Sequence, residues 1–292
     1  MNAHAHSGSD TTPSDASGSP WGRFELNDRA RRFRAFSSSR GTGYLAKRMA
    51  YLARRLAMSA VPDVADVEVF GHKLRIDPRG NLAEKRLLFT PQYFDPDERA
   101  LLARALPADA VFLDIGANVG AYSFFAASCS GPHARIIAIE PQPKIHQRLQ
   151  TNIAFNPGVP IEAIQLAIAD IDGAISLFVD EQNAGETSMR RLAGNSGSAT
   201  EISVSAKPLA ALVSDLGLQR IDAMKIDIEG AEDIALAPFF EAAPATLWPS
   251  VLILENSPES WQIDCIDLAR KRGYQLVLST RLNVVLTRPA TG

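Results

Sequence analysis

The chain has 292 residues, of which 46% are hydrophobic and 22% are charged, and its formal net charge is −3. No stretch approaches the roughly 20 consecutive apolar residues that a membrane-spanning helix needs. The two cysteines, Cys129 and Cys265, have neither C-x-x-C nor metal-ligand spacing. We therefore expect a soluble cytoplasmic protein with reduced thiols.

The first 20 residues are rich in Ser, Gly, Pro, Thr and Asp, and they carry two acids and no Lys or Arg. Such a composition has too little apolar surface to offset the entropy lost on ordering. We expect residues 1–20 to be a disordered tail.

Residues 21–60 form a basic segment, with one or two helices predicted over 24–58. Residues 21–56 hold ten Lys or Arg and two acids, a balance of +8, which leaves −9 for residues 57–292. A basic amphipathic helix can lie on an anionic membrane or dock on a partner, or it can pack on its own domain with solvated arginines. Both alternatives stay open. The acidic balance of the remainder argues against a nucleic-acid partner.

Residues 61–292 are predicted to form one α/β domain. A hairpin around Gly71, at 67–76, and a helix at 97–105 come first, and short apolar strands then alternate with helices. This alternation is typical of a parallel sheet covered on both faces. Because only a few residues join the last two strands, the last one must run antiparallel. The fold class is therefore a doubly wound α/β fold with a mostly parallel seven-stranded sheet and an antiparallel last strand. The strands are predicted at 110–115, 135–140, 161–168, 221–228, 250–255, 274–278 and 282–287, and the helices between them at 119–129, 142–155, 208–216, 230–239 and 259–272.

The alternation is interrupted between residues 170 and 206. Two further strands are predicted at 175–179 and 201–205, around a Gly/Ser/Asn-rich stretch at 183–199. We expect that stretch to be a mobile loop near the functional site.

The first candidate site is the turn from the first main strand into its helix, which holds Asp114, Gly116, Asn118 and Gly120. Open α/β sheets bind ligands at the carboxyl ends of their strands, and glycine lets the backbone approach a ligand closely. The spacing is G-x-x-x-G and not the G-x-G-x-x-G of dinucleotide folds. An acid at the strand end suits a cationic ligand without phosphate, such as S-adenosyl-L-methionine. The alternative is a plain strand-to-helix turn.

Two acids follow the next two strands. Glu140 is placed to accept hydrogen bonds from both hydroxyls of a ribose, and it could instead cap the helix that follows Pro141. Asp170 could reach an adenine amino group, or it could be a turn acid that favours the hairpin at Asp172-Gly173.

The third candidate element contains Asp227 and Glu229, which lie two apart and so share one face of an extended strand. Together with Glu232 they would repel one another unless a cation intervened, which could be a sulfonium, a metal or Lys225. Helix N-terminal acids interacting with the helix dipole explain Glu232 well and Asp227 poorly. Because no histidine is well placed, removal of the proton from an alcohol would depend on a carboxylate as the base or on a metal that promotes ionisation.

The next strand ends in Glu255-Asn256, so that these residues and Asp227 would form an oxygen-only set of the kind that Mg²⁺ prefers. A loop acid and an Asn helix cap explain the pair equally simply. We predict no metal site, although a divalent metal stays open.

Several segments between residues 68 and 287 resemble the FkbM family of methyltransferases. The similar segments are LDIGANVGAYS (113–123), IAIEPQP (137–143), NAGETSM (183–189), IDAMKIDIEGAED (221–233) and VLILEN (251–256). The resemblance implies a Rossmann-like class I methyltransferase that uses S-adenosyl-L-methionine. The methyl acceptor would be a hydroxyl of a sugar, glycoconjugate or polyketide-like metabolite. The acceptor's identity and the oligomeric state are not specified.

Residue by residue, the resemblance puts Asp114, Gly116, Asn118, Glu140 and Asp170 at the cofactor. It puts Asp227 and Glu229 beside the transferred methyl group. Two other classes remain as alternatives. One is a non-catalytic cofactor-binding module of the same fold, and the other is a nicotinamide-dependent oxidoreductase, which would require the missing G-x-G-x-x-G.

Overall fold

A computed structural model of the chain describes residues 18–41, 43–58, 61–180, 187–188 and 199–289. The predicted disordered tail lies outside the described residues except for 18–20. The predicted loop at 183–199 and the similar segment at 183–189 also lie largely outside them.

Within these residues the chain forms nine α-helices and thirteen strands. The helices are α1 (Asp28–Ser38), α2 (Tyr44–Ala57), α3 (Leu82–Phe89), α4 (Pro96–Ala105), α5 (Ala121–Cys129), α6 (Pro143–Ala154), α7 (Leu209–Asp215), α8 (Glu232–Ala242) and α9 (Cys265–Arg270). The strands are β1 (Ala65–Val69), β2 (His72–Ile76), β3 (Val111–Ile115), β4 (Arg135–Ile139), β5 (Ile161–Ile164), β6 (Ala167–Ile168), β7 (Gly173–Asp180), β8 (Thr187–Ser188), β9 (Ala199–Lys207), β10 (Ala223–Ile226), β11 (Val251–Glu255), β12 (Gln275–Ser279) and β13 (Asn283–Thr287). None of the helices described here combines the length and the apolar character that crossing a bilayer requires.

The main sheet has seven strands in the order β5-β4-β3-β10-β11-β13-β12. Strands β3, β4, β5, β10 and β11 pair in parallel, and β13 runs antiparallel to both of its neighbours. The predicted fold class is therefore confirmed. The antiparallel strand, β13, lies between β11 and β12. The edge of the sheet is therefore formed by β12, with which β13 forms the hairpin. The strand order reverses at β3 and β10, which is where sheets of this kind open a ligand crevice.

Both faces of this sheet are buried, as the apolar strands predict. Phe112 of β3 packs in one hydrophobic cluster with Phe124 of α5. The next residue, Leu113, points to the opposite face and packs with Leu236 of α8.

Most predicted elements differ from the observed ones by one to three residues at an end, and two differ more. The strand predicted at 161–168 is divided, because Ile161–Ile164 pairs with β4 whereas Ala167–Ile168 pairs with β9 in a second sheet of order β6-β9-β7-β8. The helix predicted at 259–272 begins only at Cys265, where the side chain of Asp264 caps the backbone N–H groups of Ile266 and Asp267. Trp261 is held out of that helix by its hydrogen bond to Glu232.

Candidate active site

One cavity lies where β3, β4, β10 and β11 end, against the segment that leads into β6. Six of the eight predicted site residues line it: Asp114, Gly116, Asn118, Glu140, Asp227 and Glu229. Gly120 and Asp170 are described and do not line it. A Cβ atom at Gly120 would lie 2.8 Å from the Leu149 side chain, so this glycine serves the packing at the start of α5. Asp170 is exposed, just before β7.

Gly116 joins the turn after β3 to the turn after β10. Its φ is +76°, and a Cβ atom there would lie 1.9 Å from the backbone oxygen of Asp227. The backbone N–H of Asp227 donates to the carbonyl of Ile115 at 3.0 Å. Glycine is therefore required at position 116 because the loop after β10 comes close to the backbone there.

Asp114 is almost fully buried at the end of β3. Its Oδ2 accepts a 2.6 Å hydrogen bond from Ser123 Oγ, whereas its Oδ1 has no hydrogen-bond partner among the described residues. Burial raises the pKa of this carboxyl, and the positive charge of Lys225 opposes the shift. A donor in the cavity would satisfy Oδ1.

Glu140 is held by two backbone N–H groups. Its Oε2 accepts from Asn118 at 2.9 Å and its Oε1 accepts from Gln142 at 2.9 Å. Burial raises its pKa to about 7, although both backbone hydrogen bonds lower it. Gln142 is the N-cap residue of α6, so the capping interpretation also describes this residue. Each carboxylate oxygen can accept a second hydrogen bond, which leaves capacity for two ligand hydroxyls.

Asn118 has a left-handed backbone conformation, with φ of +52°, which Asn tolerates better than most residues. Its Oδ1 accepts hydrogen bonds from the backbone N–H of Val119 at 2.8 Å and from Asn81 Nδ2 at 3.0 Å. Buried Asn81, which was not among the predicted site residues, thus fixes the Asn118 side chain.

Lys225 is one of the two basic residues that line the cavity. Its Nζ lies 2.5 Å from Asp227 Oδ2 and 5.0 Å from the centre of the Tyr122 ring. Burial lowers the pKa of Lys225, but the charges of Asp227 and Asp114 outweigh that effect and raise it. Lys225 therefore remains charged and holds Asp227 in place. It is one of the three cations that were expected to reduce the repulsion between these acids.

The loop after β10 carries Glu229, whose φ of +56° is also left-handed. Glu232 closes this loop, because its Oε1 accepts from the backbone N–H groups of Ile228 at 2.9 Å and Gly230 at 3.3 Å. Its Oε2 accepts from Trp261 Nε1 at 2.6 Å. Glu232 is thus a structural residue that helps present Asp227 and Glu229.

Three further residues of the cavity wall were not predicted: Arg86, Asp95 and Tyr122. Asp95 Oδ1 accepts from Arg86 Nη2 at 2.6 Å, and its Oδ2 accepts from the Tyr122 hydroxyl at 3.2 Å. Burial, with the nearby charge of Asp95, raises the pKa of Tyr122 well above its usual value, so Tyr122 remains a hydrogen-bond donor.

Glu255 lines the same cavity, and its Oε2 is buried with no hydrogen-bond partner among the described residues. Burial and the charge of Asp227 raise its pKa to about 7. The Nδ2 of Asn256 donates to the Thr280 carbonyl at 2.8 Å, and Asn256 does not line the cavity. The oxygen-only set of Asp227, Glu255 and Asn256 is therefore not assembled. In the described part of the chain no group of three or more His, Cys, Asp or Glu could hold a metal ion.

The model of the methyltransferase FkbM domain matches residues 114–275, which is more than half of the chain. The chain belongs to this family. The matched FkbM domain begins at Asp114 and includes the carboxyl ends of β3, β4, β10 and β11, which line the cavity.

Three curated relatives are similar to this FkbM chain. The AMB antimetabolite synthetase AmbE of Pseudomonas aeruginosa is 28% identical over 207 residues, which cover 59% of this chain and 10% of that protein. Methyltransferase sdnD of Sordaria araneosa is 29% identical over 154 residues, 44% of this chain and 59% of that protein. Methyltransferase 1 of Beauveria bassiana is 25% identical over 142 residues, 43% of this chain and 57% of that protein. The aligned part of the FkbM chain thus spans a tenth of the first relative and about three-fifths of the other two.

Among solved structures, the FkbM chain is similar to two methyltransferases from Geobacter. Precorrin-6y C5,15-methyltransferase from Geobacter metallireducens has 14% identity and a TM-score of 0.39, covering 65% of this chain and 86% of that one. A methyltransferase from Geobacter sulfurreducens has 13% identity and a TM-score of 0.41, covering 67% of this chain and 77% of that one.

Proposed function

We propose that this FkbM-family chain transfers a methyl group from S-adenosyl-L-methionine to a hydroxyl oxygen of a sugar, glycoconjugate or polyketide-like metabolite. The observation that carries the proposal is the convergence of Asp114, Glu140 and Asp227 on one cavity at the reversal point of the sheet. Family membership supports methyl transfer, and the chemistry of the cavity supports the donor.

The charge of the cavity fits a sulfonium cofactor. Its lining holds six acidic side chains and two basic ones, so it is electronegative: Asp95, Asp114, Glu140, Asp227, Glu229 and Glu255 against Arg86 and Lys225. Such a lining attracts a cation and repels the phosphates of a dinucleotide. This supports S-adenosyl-L-methionine over a nicotinamide cofactor.

Individual acceptors in the cavity match the polar groups of this cofactor. The unpartnered Oδ1 of Asp114 would accept from an ammonium or amide donor, and the two oxygens of Glu140 would accept from the ribose hydroxyls. We therefore assign Asp114 and Glu140 to cofactor binding, with Gly116 and Asn118 shaping the turn between them.

When bound, the cofactor would supply an electrophilic methyl group for an acceptor oxygen, with a neutral thioether as the leaving group. Because the positive charge of the sulfonium is neutralised as the methyl group is transferred, the protein would contribute mainly by aligning the acceptor. Asp227, fixed by Lys225, and Glu229 would orient the acceptor hydroxyl or take its proton at a carboxylate oxygen. Glu255 would be a third acceptor, since it lines the same cavity and its pKa of about 7 suits a general base at neutral pH.

The decisive experiment is incubation with methyl-labelled cofactor and a panel of hydroxylated metabolites, with and without a chelator. We expect label to appear on a hydroxyl of at least one acceptor and to persist with the chelator. Cofactor binding by calorimetry without transfer to any acceptor would favour a non-catalytic binding module, and absence of binding would overturn the proposal.

A further inference from the structure

Helix α2 presents its large apolar residues to solvent and its small ones to the protein. Ala50, Ala53 and Ala57 are buried. Another side of the helix carries a stripe with spacing of four, three and four residues, in which every member is exposed: Leu45, Met49, Leu52 and Leu56. Leu45 is 72% exposed and Leu52 is 59% exposed. A helix stabilised only by its own domain would bury the leucines, so this orientation indicates an external surface that covers them.

Helix α1 is held on the body of the protein and extends the apolar stripe. Arg34 donates to the carbonyl of Leu88 at 3.1 Å and to that of Glu68 at 2.6 Å. Between the two helices lies a groove of about 680 Å³, lined by Phe33 and Phe36 of α1 and by Met49, Leu52 and Leu56 of α2. We refer to this groove and the α2 stripe together as the α1–α2 face. The alternative that the basic segment packs on its own domain therefore describes α1 but not the outer side of α2.

The α1–α2 face is strongly basic. Helix α2 contains Lys47, Arg48, Arg54 and Arg55 and no acidic residue. Arg29 and Arg32 of α1 add charge at the rim of the groove. In the part of the chain that the structure describes, none of these six cations forms a salt bridge. Lys47 and Arg54 lie over the rings of Tyr93 and Tyr51. The other four are exposed, so their charges are available to an external partner: Arg29, Arg32, Arg48 and Arg55.

Helix α2 also carries two exposed tyrosines, Tyr44 and Tyr51. Tyr44 is 73% exposed, and both Tyr44 and Tyr51 lie beneath arginines, with Arg48 Cζ 5.8 Å and Arg54 Cζ 4.8 Å from the respective ring centres. An amphipathic aromatic ring beside a cation is the combination that favours the headgroup level of a bilayer.

We propose that the α1–α2 face binds the surface of an anionic lipid bilayer, with the stripe inserted between headgroups and the cations at the phosphates. Charge and apolar content distinguish between three possible occupants of this face: a second copy of α2, residues 1–20 of this chain, and a bilayer. A second copy of α2 would bring four more cations against the first four, which is repulsive. Residues 1–20 of this chain contain no Leu, Ile, Val, Phe, Tyr or Trp that could cover the stripe. An anionic bilayer supplies both the apolar layer and the negative charge.

The test is flotation of the full-length chain with vesicles of phosphatidylcholine alone and with about one-third phosphatidylserine. We expect binding to the anionic vesicles only, weakened by added salt. Leu45→Ser with Leu52→Ser should reduce it at least tenfold, and Arg48→Gln with Arg55→Gln should reduce it about fivefold for each charge removed. Matched controls are Ile263→Ser with Val277→Ser, both 47% exposed elsewhere, and Arg104→Gln with Lys271→Gln; these pairs should bind as the wild type does.

Three results would overturn the proposal. These are no flotation at low salt, equal flotation with neutral vesicles, or full binding by the Leu45→Ser, Leu52→Ser variant. A concentration-dependent dimer of the wild type, converted to a monomer by that same variant, would show that a second copy covers the stripe instead.

Discussion

The backbone oxygen of Asp227 occupies the space that a Cβ atom of residue 116 would need, because that atom would lie only 1.9 Å away. This contact joins the turn after β3, which carries the predicted cofactor residues, to the turn after β10, which carries the predicted catalytic acid. The position of Asp227 relative to the turn after β3 therefore depends on a backbone approach that only glycine permits.

Gly116→Ala should displace the loop that carries Asp227. We expect the free energy of unfolding to fall by several kcal/mol, with loss of turnover, because a Cβ–oxygen clash adds to the left-handed backbone strain. Chemical denaturation and the methyl-transfer assay measure these effects.

Gly158→Ala is the matched control for that prediction. Gly158 has φ of +87° and no atom within 4 Å of its would-be Cβ. The Gly158→Ala variant should therefore lose only about 1 kcal/mol of stability, through backbone strain without a clash. Equal destabilisation by the two variants would refute the role of the close approach.

Asp227→Asn should lower turnover about 100-fold or more and leave the Kd for S-adenosyl-L-methionine nearly unchanged. The amide keeps the shape of the side chain but removes the charge that meets Lys225 and a proton-accepting oxygen. Asp267→Asn, which breaks an exposed pair with Lys271, is the control for losing an ion pair. If turnover and cofactor affinity fell equally, Asp227 would be a cofactor ligand and not a catalytic residue.

Glu140 should make cofactor affinity depend on pH. Its pKa is about 7, and only the ionised carboxylate has all its lone pairs free to accept from ribose hydroxyls. The Kd should therefore increase as the pH falls below 7, by up to about tenfold per unit. Calorimetric titrations at pH 6 and pH 8 measure this, and Glu140→Gln should bind weakly at both.

The raised pKa of Glu140 also makes the stability of the ligand-free protein depend on pH, in the direction opposite to cofactor affinity. Because folding raises the pKa of Glu140 above its usual value of 4.5, its contribution to stability is complete below about pH 4.5. That contribution is lost as the pH rises through 7. Glu140→Gln should flatten this part of the stability profile, whereas Glu162→Gln, an exposed acid on β5, should leave it unchanged. A Glu140→Gln profile as steep as that of the wild type would contradict the assignment.

Glu255 should govern how the rate depends on pH when cofactor is saturating. We expect kcat of the wild type to rise through about pH 7, as this carboxyl ionises. Glu255→Gln should lower kcat about 100-fold at pH 8 and remove the rise. An unchanged pH profile in the variant would exclude Glu255 as the proton acceptor and leave Asp227 and Glu229.

The seven strands of the main sheet could be predicted because each is a short apolar run between turn residues. β3 was predicted at 110–115 and extends over Val111–Ile115. Helix α3 was not predicted, since its buried residues Leu87, Leu88 and Phe89 are consecutive and show no helical spacing. A signal was present, because Asn81 is followed three residues later by Glu84 and its side chain caps the Glu84 N–H at 3.2 Å.

The acids of the cavity that follow the strands could be predicted, because parallel strands bring their carboxyl ends to one edge: Asp114, Glu140, Asp227, Glu229 and Glu255. The division of the strand at 161–168 could not, since the apolar pattern continues while the pairing partner changes from β4 to β9. Nor could the contacts of Asp95 with Arg86 and Tyr122, which lie 9 and 27 positions away on elements that no local pattern connects.

The proposed function requires that acids from neighbouring strand ends hold one cofactor in one cavity. A crystal structure with S-adenosyl-L-homocysteine tests this requirement most directly. We predict ribose hydroxyls within about 3 Å of the Glu140 carboxylate and the thioether sulfur facing Asp227. Ligand density outside this cavity, or with the ribose turned away from Glu140, would contradict the account.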